Sequence, residues 1–309
     1  MKFFLSLILV ILALNLPGCG LPGKTTADSR QELFFSDTII HQDMTWSGDV
    51  AISGVFVVGR GAALTIEPGT TVRFQKIDSN NDQIGDSELR VLGRIMAVGT
   101  KEAPITFKSA EANPAPKDWS YVLIFTSGQR NYLQYCLFRD AFTGLQVHFS
   151  TASVSDSVFI NNNEGLRFGR AKMTIAHNRI EKNNLGIRFT RMEGPAEIID
   201  NNITLNRIGI FLVPSGQQIV DFFEPGRTGK PWNEGHLEIK GNNIVANSDY
   251  DLNLGVKQKW DLDITGNWWG QTDLRFIREK IFDHLRDDEL GRAIIEPFLH
   301  RPVQEAGPR

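Results

Sequence analysis

An apolar residue recurs through the middle of the chain at intervals of 21, 21, 23, 41 and 25 residues. A second apolar residue stands five positions before each of these anchors, asparagines stand two before or three after most of them, and glycine stands six after the first four. A period of twenty-odd residues predicts stacked coils, none of which can bury its apolar face alone. The anchors are Phe138, Phe159, Ile180, Ile203, Ile244 and Trp269.

The type of solenoid follows from what each copy contains. Alternating apolar residues predict short strands. Asparagines predict the turns, because asparagine tolerates left-handed backbone and stacked amides hydrogen-bond from coil to coil. The L-x-x-L-x-L-x-x-N pattern of leucine-rich repeats and the six-residue beat of left-handed hexapeptide helices do not occur. The sequence therefore predicts an all-β fold, a right-handed parallel β-helix solenoid.

Beyond the last anchor the apolar spacing changes to that of a helix face, with Thr272 or Asp273 as the N-cap. A capping helix there would cover the last open coil and protect it from edge pairing. The residues of the predicted face are Leu274, Ile277, Ile281 and Leu285.

The N-terminal run MKFFLSLILVILALNLPGC is too short for a membrane span and has the layout of a secretory signal. Leucine and glycine before Cys19 make the end of this run similar to a bacterial lipobox, which implies acylation of that cysteine. The alternative is an ordinary signal peptide with an incidental cysteine. Gly20, in place of aspartate, favours delivery to the outer membrane. The membrane is then a partner through the N-terminal lipid.

The predicted organisation is a signal peptide over 1–18, a tether and N-terminal cap over 19–45, β-helix coils over 46–270 and a helical cap over 271–309. The 41-residue interval places an insertion at 213–235. A formal net charge of −3 argues against a nucleic-acid binder.

Several segments resemble the right-handed parallel β-helix repeat proteins of bacterial envelopes, which have pectin-lyase-like architecture. The segments are LTIEPGTTVRF, SELRVLGRIMAVGTKEAPITFKSA, GNWWGQTD and DDELGRAIIEPFLHRP, and the likeness covers about residues 46 to 302. That family mixes polysaccharide lyases, epimerases, hydrolases, adhesins and members without assigned activity, so the resemblance implies a fold and does not choose an activity.

An acidic segment between two predicted strands has oxygen side chains at the spacing that a calcium ion requires. It resembles a thrombospondin-type calcium repeat more than an EF-hand, because no helices flank it. The alternative is a solvated acidic turn. The predicted structural Ca²⁺ ligands are Asp78, Asn80, Asp82, Ile84 (through its carbonyl), Asp86 and Glu88.

A basic row and the insertion are the predicted contact surfaces for glycan. Equivalent positions on adjacent coils place arginines about one strand spacing apart, roughly 4.8 Å. Arginine forks match carboxylates, so the row predicts a groove for an acidic glycan, while pairing with Glu164, Glu181 or Glu193 is the alternative. The insertion offers aromatic faces that either stack on sugars or fold back onto the coil. The candidates are Arg167, Arg170, Arg188, Arg191, Arg207, Phe222, Phe223 and Trp232.

No HExxH, GxSxG, CxxC or phosphate-loop motif occurs, and no catalytic residue is predicted. The sequence favours a lipid-anchored envelope protein that acts as a scaffold for, or binder of, polysaccharide. A polysaccharide lyase or glycoside hydrolase of the same fold, and a structural component that binds protein, remain the alternatives.

Overall fold

A computed structural model describes residues 32–214, 237–255 and 258–309, without the side chains of Arg191 and Pro214. Within these ranges the chain forms 27 strands and one short helix, and every strand pair is parallel. The strands form three stacks that wind into a right-handed parallel β-helix, as the repeat predicts.

The first stack is a separate eight-stranded sheet. Its strands are β2 (Met44–Trp46), β4 (Ala63–Ile66), β7 (Arg94–Val98), β10 (Arg130–Gln134), β13 (Thr151–Ser155), β16 (Lys172–Ala176), β19 (Ala196–Ile199) and β22 (Leu237–Lys240).

The second and third stacks share β1 (Leu33–Ile40) and β3 (Asp49–Val58), of which β3 pairs through its first half with one stack and through its second half with the other. The second stack continues with β5 (Thr71–Phe74), β8 (Ile105–Ser109), β11 (Cys136–Arg139), β14 (Val158–Ile160), β17 (Arg179–Glu181), β20 (Asn202–Thr204) and β23 (Asn243–Val245).

The third stack carries the surface of interest. Its strands are β6 (Glu88–Val91), β9 (Trp119–Phe125), β12 (Ala141–His148), β15 (Glu164–Gly169), β18 (Leu185–Arg191), β21 (Ile208–Pro214), β24 (Tyr250–Asn253) and β26 (Ile281–Phe282). A small pair, β25 (Leu262–Asp263) and β27 (Ala293–Ile294), lies near the C-terminal end.

The repeated anchors fill the interior. Phe138 and Phe159 pair in register and stack with ring centroids 4.7 Å apart, and Phe107 extends the stack by the same distance on the other side. Identical residues stack because each coil repeats the backbone of the one below at a single strand spacing. The predicted anchors and the apolar residues five positions before them are all buried.

Two columns of asparagines hold the turns. In the first, Asn178 Nδ2 donates to Asn201 Oδ1 at 3.0 Å, and Asn201 donates in the same way to Asn242 at 2.9 Å. Cys136 occupies this column two coils earlier, where its backbone N–H donates to Ser157 Oγ. Cys136 is buried, and burial raises the pKa of its thiol, so the thiol is held in its neutral form inside the coil.

The second column passes through Asn162, Asn183, Asn206 and Asn247. The glycines that follow are required by the closeness of the coils. A Cβ added to Gly186 would lie 2.5 Å from the carbonyl oxygen of Gly209. The predicted glycine position is therefore one of steric necessity.

The C-terminal helix is shorter than predicted. Helix α1 (Leu274–Glu279) has Asp273 as its N-cap and buries Ile277, as expected. Ile281 instead begins strand β26, and Leu285 is 68% exposed. The four-residue spacing between Ile277 and Ile281 is compatible with a continued helix and also with a strand that begins at Ile281. The chain forms the strand because Ile281 pairs with β24. No helix in the described part of the chain is long and apolar enough to cross a membrane.

Candidate functional site

The outer face of the third stack brings two predicted arginines together. Arg167 on β15 and Arg188 on β18 are register partners on adjacent strands. The carboxylate of Glu164 lies against both, 2.7 Å from Arg188 and 3.9 Å from Arg167, and Thr143 donates to it at 3.1 Å. Glu164 is buried. One negative charge therefore partly offsets the two positive charges within the protein, and it comes from one of the partners that the sequence left open.

A second polar group begins the same face. The carboxylate of Glu88 contacts Arg90 and faces the Tyr121 hydroxyl. Burial raises the pKa of Glu88, with Arg90 opposing that effect. Burial also raises the pKa of Tyr121 to about 12, and the nearby Glu88 charge adds to that shift. Tyr121 and Thr143 are register partners, so this group leads along the face to Glu164.

A groove of about 1030 Å³ runs along the corner where the third stack turns into the first. Arg130, Thr151 and Lys172 occupy one register position on three consecutive strands of its floor. Two cations therefore stand two strand spacings apart, roughly 9.6 Å along the solenoid axis. We call this feature the corner groove. Its lining is Ser127, Gly128, Gln129, Arg130, Phe149, Ser150, Thr151, Arg170, Ala171, Lys172, Glu193, Gly194 and Pro195.

The wall of the corner groove joins an aromatic ring to an ion pair. The Arg170 guanidinium lies 5.7 Å from the ring centroid of Phe149 and pairs with the Glu193 carboxylate. Phe125 packs edge-on against Phe149, with centroids 5.6 Å apart, and fixes the ring. Three of the lining residues are basic and one is acidic, so the corner groove favours anions.

The remaining arginines of the predicted row have other surroundings. Arg207 pairs with Asp249 at 2.6 Å and donates to Asn184 at 2.6 Å. The left-handed residue equivalent to Arg170 in the next coil is Met192, not Arg191. The register offset grows from 21 to 23 residues across this turn, which moves Arg191 back into β18.

Some of the predicted site residues are not among those that the structure describes. They are the side chain of Arg191, the insertion from residue 215 onward with Phe222, Phe223 and Trp232, and the acylation candidate Cys19. Their roles stay predictions.

The acidic loop gathers most of the predicted calcium ligands, and their oxygens accept hydrogen bonds from the loop itself. Asp78 accepts from the backbone of Asp82 and Gln83, at 3.1 and 3.0 Å. Asp82 Oδ1 accepts from the Ile84 backbone at 2.8 Å, and Asn80 Oδ1 from that of Asp82 at 3.0 Å.

The last two predicted ligands face other partners. Asp86 Oδ2 accepts from the backbone and hydroxyl of Ser79, which lowers its pKa. Glu88 belongs to β6 and faces Arg90 and Tyr121. The calcium site stays a prediction, on a loop whose polar groups already satisfy one another.

Histidines, the commonest ligands of transition metals, do not converge among the described residues. His148 Nδ1 faces the Gly169 carbonyl at 3.1 Å, and its Nε2 faces Gln146 at 3.0 Å. His177 Nδ1 faces the Glu305 carbonyl at 3.2 Å. Within ranges 32–214, 237–255 and 258–309, no three His, Cys, Asp or Glu side chains are arranged to hold a metal ion.

Sequence reasoning missed the corner groove and the Glu88–Tyr121 pair. A signal for the first was present, because Arg130, Thr151 and Lys172 stand at 21-residue intervals, as the anchors do. The Glu88–Tyr121 pair depends on strands β6 and β9 lying side by side. Their paired residues are 33 positions apart in the sequence, which differs from the period of the repeat.

The stacked parallel strands and the polar outer face define a parallel β-helix protein of the pectin-lyase-like type. Residues 43–221, more than half of the chain, match the family described as periplasmic copper-binding protein (NosD), and the chain belongs to that family. The residues that the structure describes contain no group of three His, Cys, Asp or Glu side chains that could hold copper. Neither the comparison with curated proteins nor that with solved structures gave a match.

Proposed function

We propose that this protein is a β-helix scaffold of the cell envelope that binds an acidic polysaccharide in the corner groove without cleaving it. The observation that carries the proposal is the register column of Arg130, Thr151 and Lys172 beside the Phe149–Arg170 wall. A polysaccharide that follows the solenoid axis meets a hydroxyl between two cations, with an aromatic face at its side. Periplasmic location of the family supports an envelope role.

The chemistry of the lining suits carboxylated or sulfated sugars. Guanidinium and ammonium groups form charge-assisted hydrogen bonds with such anions, and an aromatic ring offers an apolar face to a sugar ring. The lining residues stand on strand ends and tight turns of a rigid coil, so little backbone ordering is needed on binding. Arg167 and Arg188 are paired with Glu164 and do not line the corner groove.

The test is binding and cleavage measured together. Acidic and neutral polysaccharides are incubated with a soluble form of the protein that begins after Cys19. Bound sugar, new reducing ends and unsaturated ends are recorded. Binding of acidic sugar without new ends supports the proposal. New ends would make the protein a lyase or hydrolase, and neither signal would move the role to a structural or protein-binding one.

Lipid anchoring is the second part of the proposal. Cys19 after Leu16 and Gly18 supports acylation, and Gly20 supports outer-membrane delivery. Labelling of growing cells with a fatty-acid analogue should mark the wild type and not the Cys19→Ser variant. Equal labelling of both would remove this part of the proposal.

Copper handling is a second candidate function, because the family description names copper. It finds no support in the described side chains, since no cluster of possible ligands occurs among them. Titration of the purified protein with Cu⁺ and Cu²⁺, followed by metal analysis after gel filtration, decides between the candidates. One retained copper ion per chain would favour this function.

A further inference from the structure

The C-terminal residues return along the outside of the coils. We call residues 297–309 the return segment. It begins where Gly266 donates to the Pro297 carbonyl at 2.8 Å and Leu299 donates to the Asn267 carbonyl at 2.9 Å. From there it passes the turns between the first and second stacks, against the direction in which the coils advance.

Two asparagine side chains form hydrogen bonds with the main chain of the return segment. Asn243 accepts from the Val303 N–H at 2.8 Å and donates to the Val303 carbonyl at 3.0 Å. Asn202 donates to the Ala306 carbonyl at 2.8 Å. These contacts use only main-chain atoms of the bound segment, so they would serve other extended sequences equally well.

Two further contacts select particular residues. A Cβ on Gly307, which has a φ of +94°, would lie 2.5 Å from Asn202 Nδ2, so only glycine fits closely there. The Arg309 guanidinium forms two hydrogen bonds with the Asp156 carboxylate, at 2.9 and 3.0 Å. The Asp156 side chain is fully buried beneath Arg309, which is itself 57% exposed.

The carboxylates near Arg309 make its surroundings negatively charged. Asp200, the equivalent turn residue two coils beyond Asp156, adds a second negative charge that favours the cation at Arg309. His177 stands between them, with its Nε2 3.8 Å from the Asp200 carboxylate. The site therefore suits an arginine on an extended peptide.

We propose that this turn surface is a binding site for an extended peptide that carries glycine two residues before an arginine, and that the return segment occupies it as an intramolecular ligand. A partner protein with such a segment displaces residues 301–309 and takes over the Asn243, Asn202 and Asp156 contacts. The site lies on a different corner from the corner groove, so it operates independently of glycan binding.

The experiment uses the full chain and a fluorescent peptide of sequence LHRPVQEAGPR, which copies residues 299–309. The peptide is titrated against the wild type and against Arg309→Ala, whose own segment competes less well. We expect roughly fivefold tighter binding to Arg309→Ala. A peptide with alanine at its last position should bind roughly fivefold more weakly, and Asp156→Asn should no longer distinguish the two peptides. Arg275→Ala, which removes an exposed arginine elsewhere, should behave as the wild type.

Hydrogen exchange of residues 301–309 shows whether the segment has opened. If Arg309→Ala remains closed, Gly307→Val opens it by steric conflict with Asn202, and the titration is repeated. No peptide binding to a variant with an open segment would overturn the proposal. Concentration-dependent dimers without peptide binding would overturn it as well, in favour of exchange between copies of this chain.

Discussion

The Asp251 carboxylate accepts two hydrogen bonds from Asn247, at 2.7 Å from Nδ2 and 3.2 Å from the backbone N–H. It ends the second asparagine column, where every earlier acceptor is a neutral amide. Burial raises the pKa of Asp251 to about 6, against the opposing hydrogen bonds from Asn247 and the charge of Lys280.

The Asp251→Asn substitution should stabilise the protein at pH 8. Because the folded pKa lies above the unfolded value of 3.8, the stabilising contribution of Asp251 is complete below pH 3.8 and is lost as the pH rises through 6. We expect a gain of about 2–3 kcal/mol in unfolding free energy at pH 8 that vanishes below pH 4. Denaturant unfolding across pH measures it, with exposed Asp249→Asn as the control. A gain independent of pH would contradict the assignment.

Removing one amide from the middle of a column should cost far more than removing its exposed neighbour. Asn183 Nδ2 donates to Asn206 and to the carbonyls of Phe159 and Glu181, each at 3.0 Å. Asn183→Ala leaves several buried groups unpaired, and we expect a loss of at least about 3 kcal/mol. Asn184→Ala, on the exposed side of the same turn, should lose less than about 0.5 kcal/mol. Similar losses would show that the columns do not hold the coils.

Neutralising Glu164 should destabilise the outer face of the third stack. Glu164→Gln leaves Arg167 and Arg188 adjacent without a buried counter-charge, and a loss of about 3 kcal/mol is expected. Adding Arg188→Gln should recover part of it, because the repulsion is then removed. Asp249→Asn, which breaks the exposed pair with Arg207, should cost less than about 1 kcal/mol. A double variant no more stable than the single would argue against this explanation.

Acid should weaken the contact between Arg309 of the return segment and Asp156. Burial acts to raise the pKa of Asp156, but hydrogen bonds from Arg309 and Gln134 outweigh it and lower the pKa to about 2. Because this value lies below the unfolded 3.8, the contribution is present above pH 3.8 and is lost as the pH falls towards 2. The stability difference between wild type and Arg309→Ala, about 1 kcal/mol after allowance for solvent screening, should close over that interval. A constant difference from pH 7 to pH 2 would contradict it.

The repeat predicts the architecture because each coil is a local unit whose interior, turn and glycine positions recur in register. Phe138, Asn178 and Gly186 could all be placed from spacing alone. Pairing between side chains depends on three-dimensional geometry, which the spacing in the sequence does not give. The spacing therefore aligns Arg167 with Arg188, but it does not show that Glu164 pairs with both. The return segment joins residues 153 apart, Asp156 and Arg309, outside any repeat. The prediction that Ile281 belongs to the helix is wrong because its pairing with β24 is also non-local.

The central claim is that the corner groove binds acidic polysaccharide, and calorimetry with charge-reversal variants tests it most directly. Lys172→Glu reverses a cation on the floor of the corner groove, and Lys182→Glu reverses an exposed cation outside its lining. The proposal predicts at least tenfold weaker binding of an acidic oligosaccharide to Lys172→Glu, and wild-type binding to Lys182→Glu. Equal affinities for the two variants would contradict it.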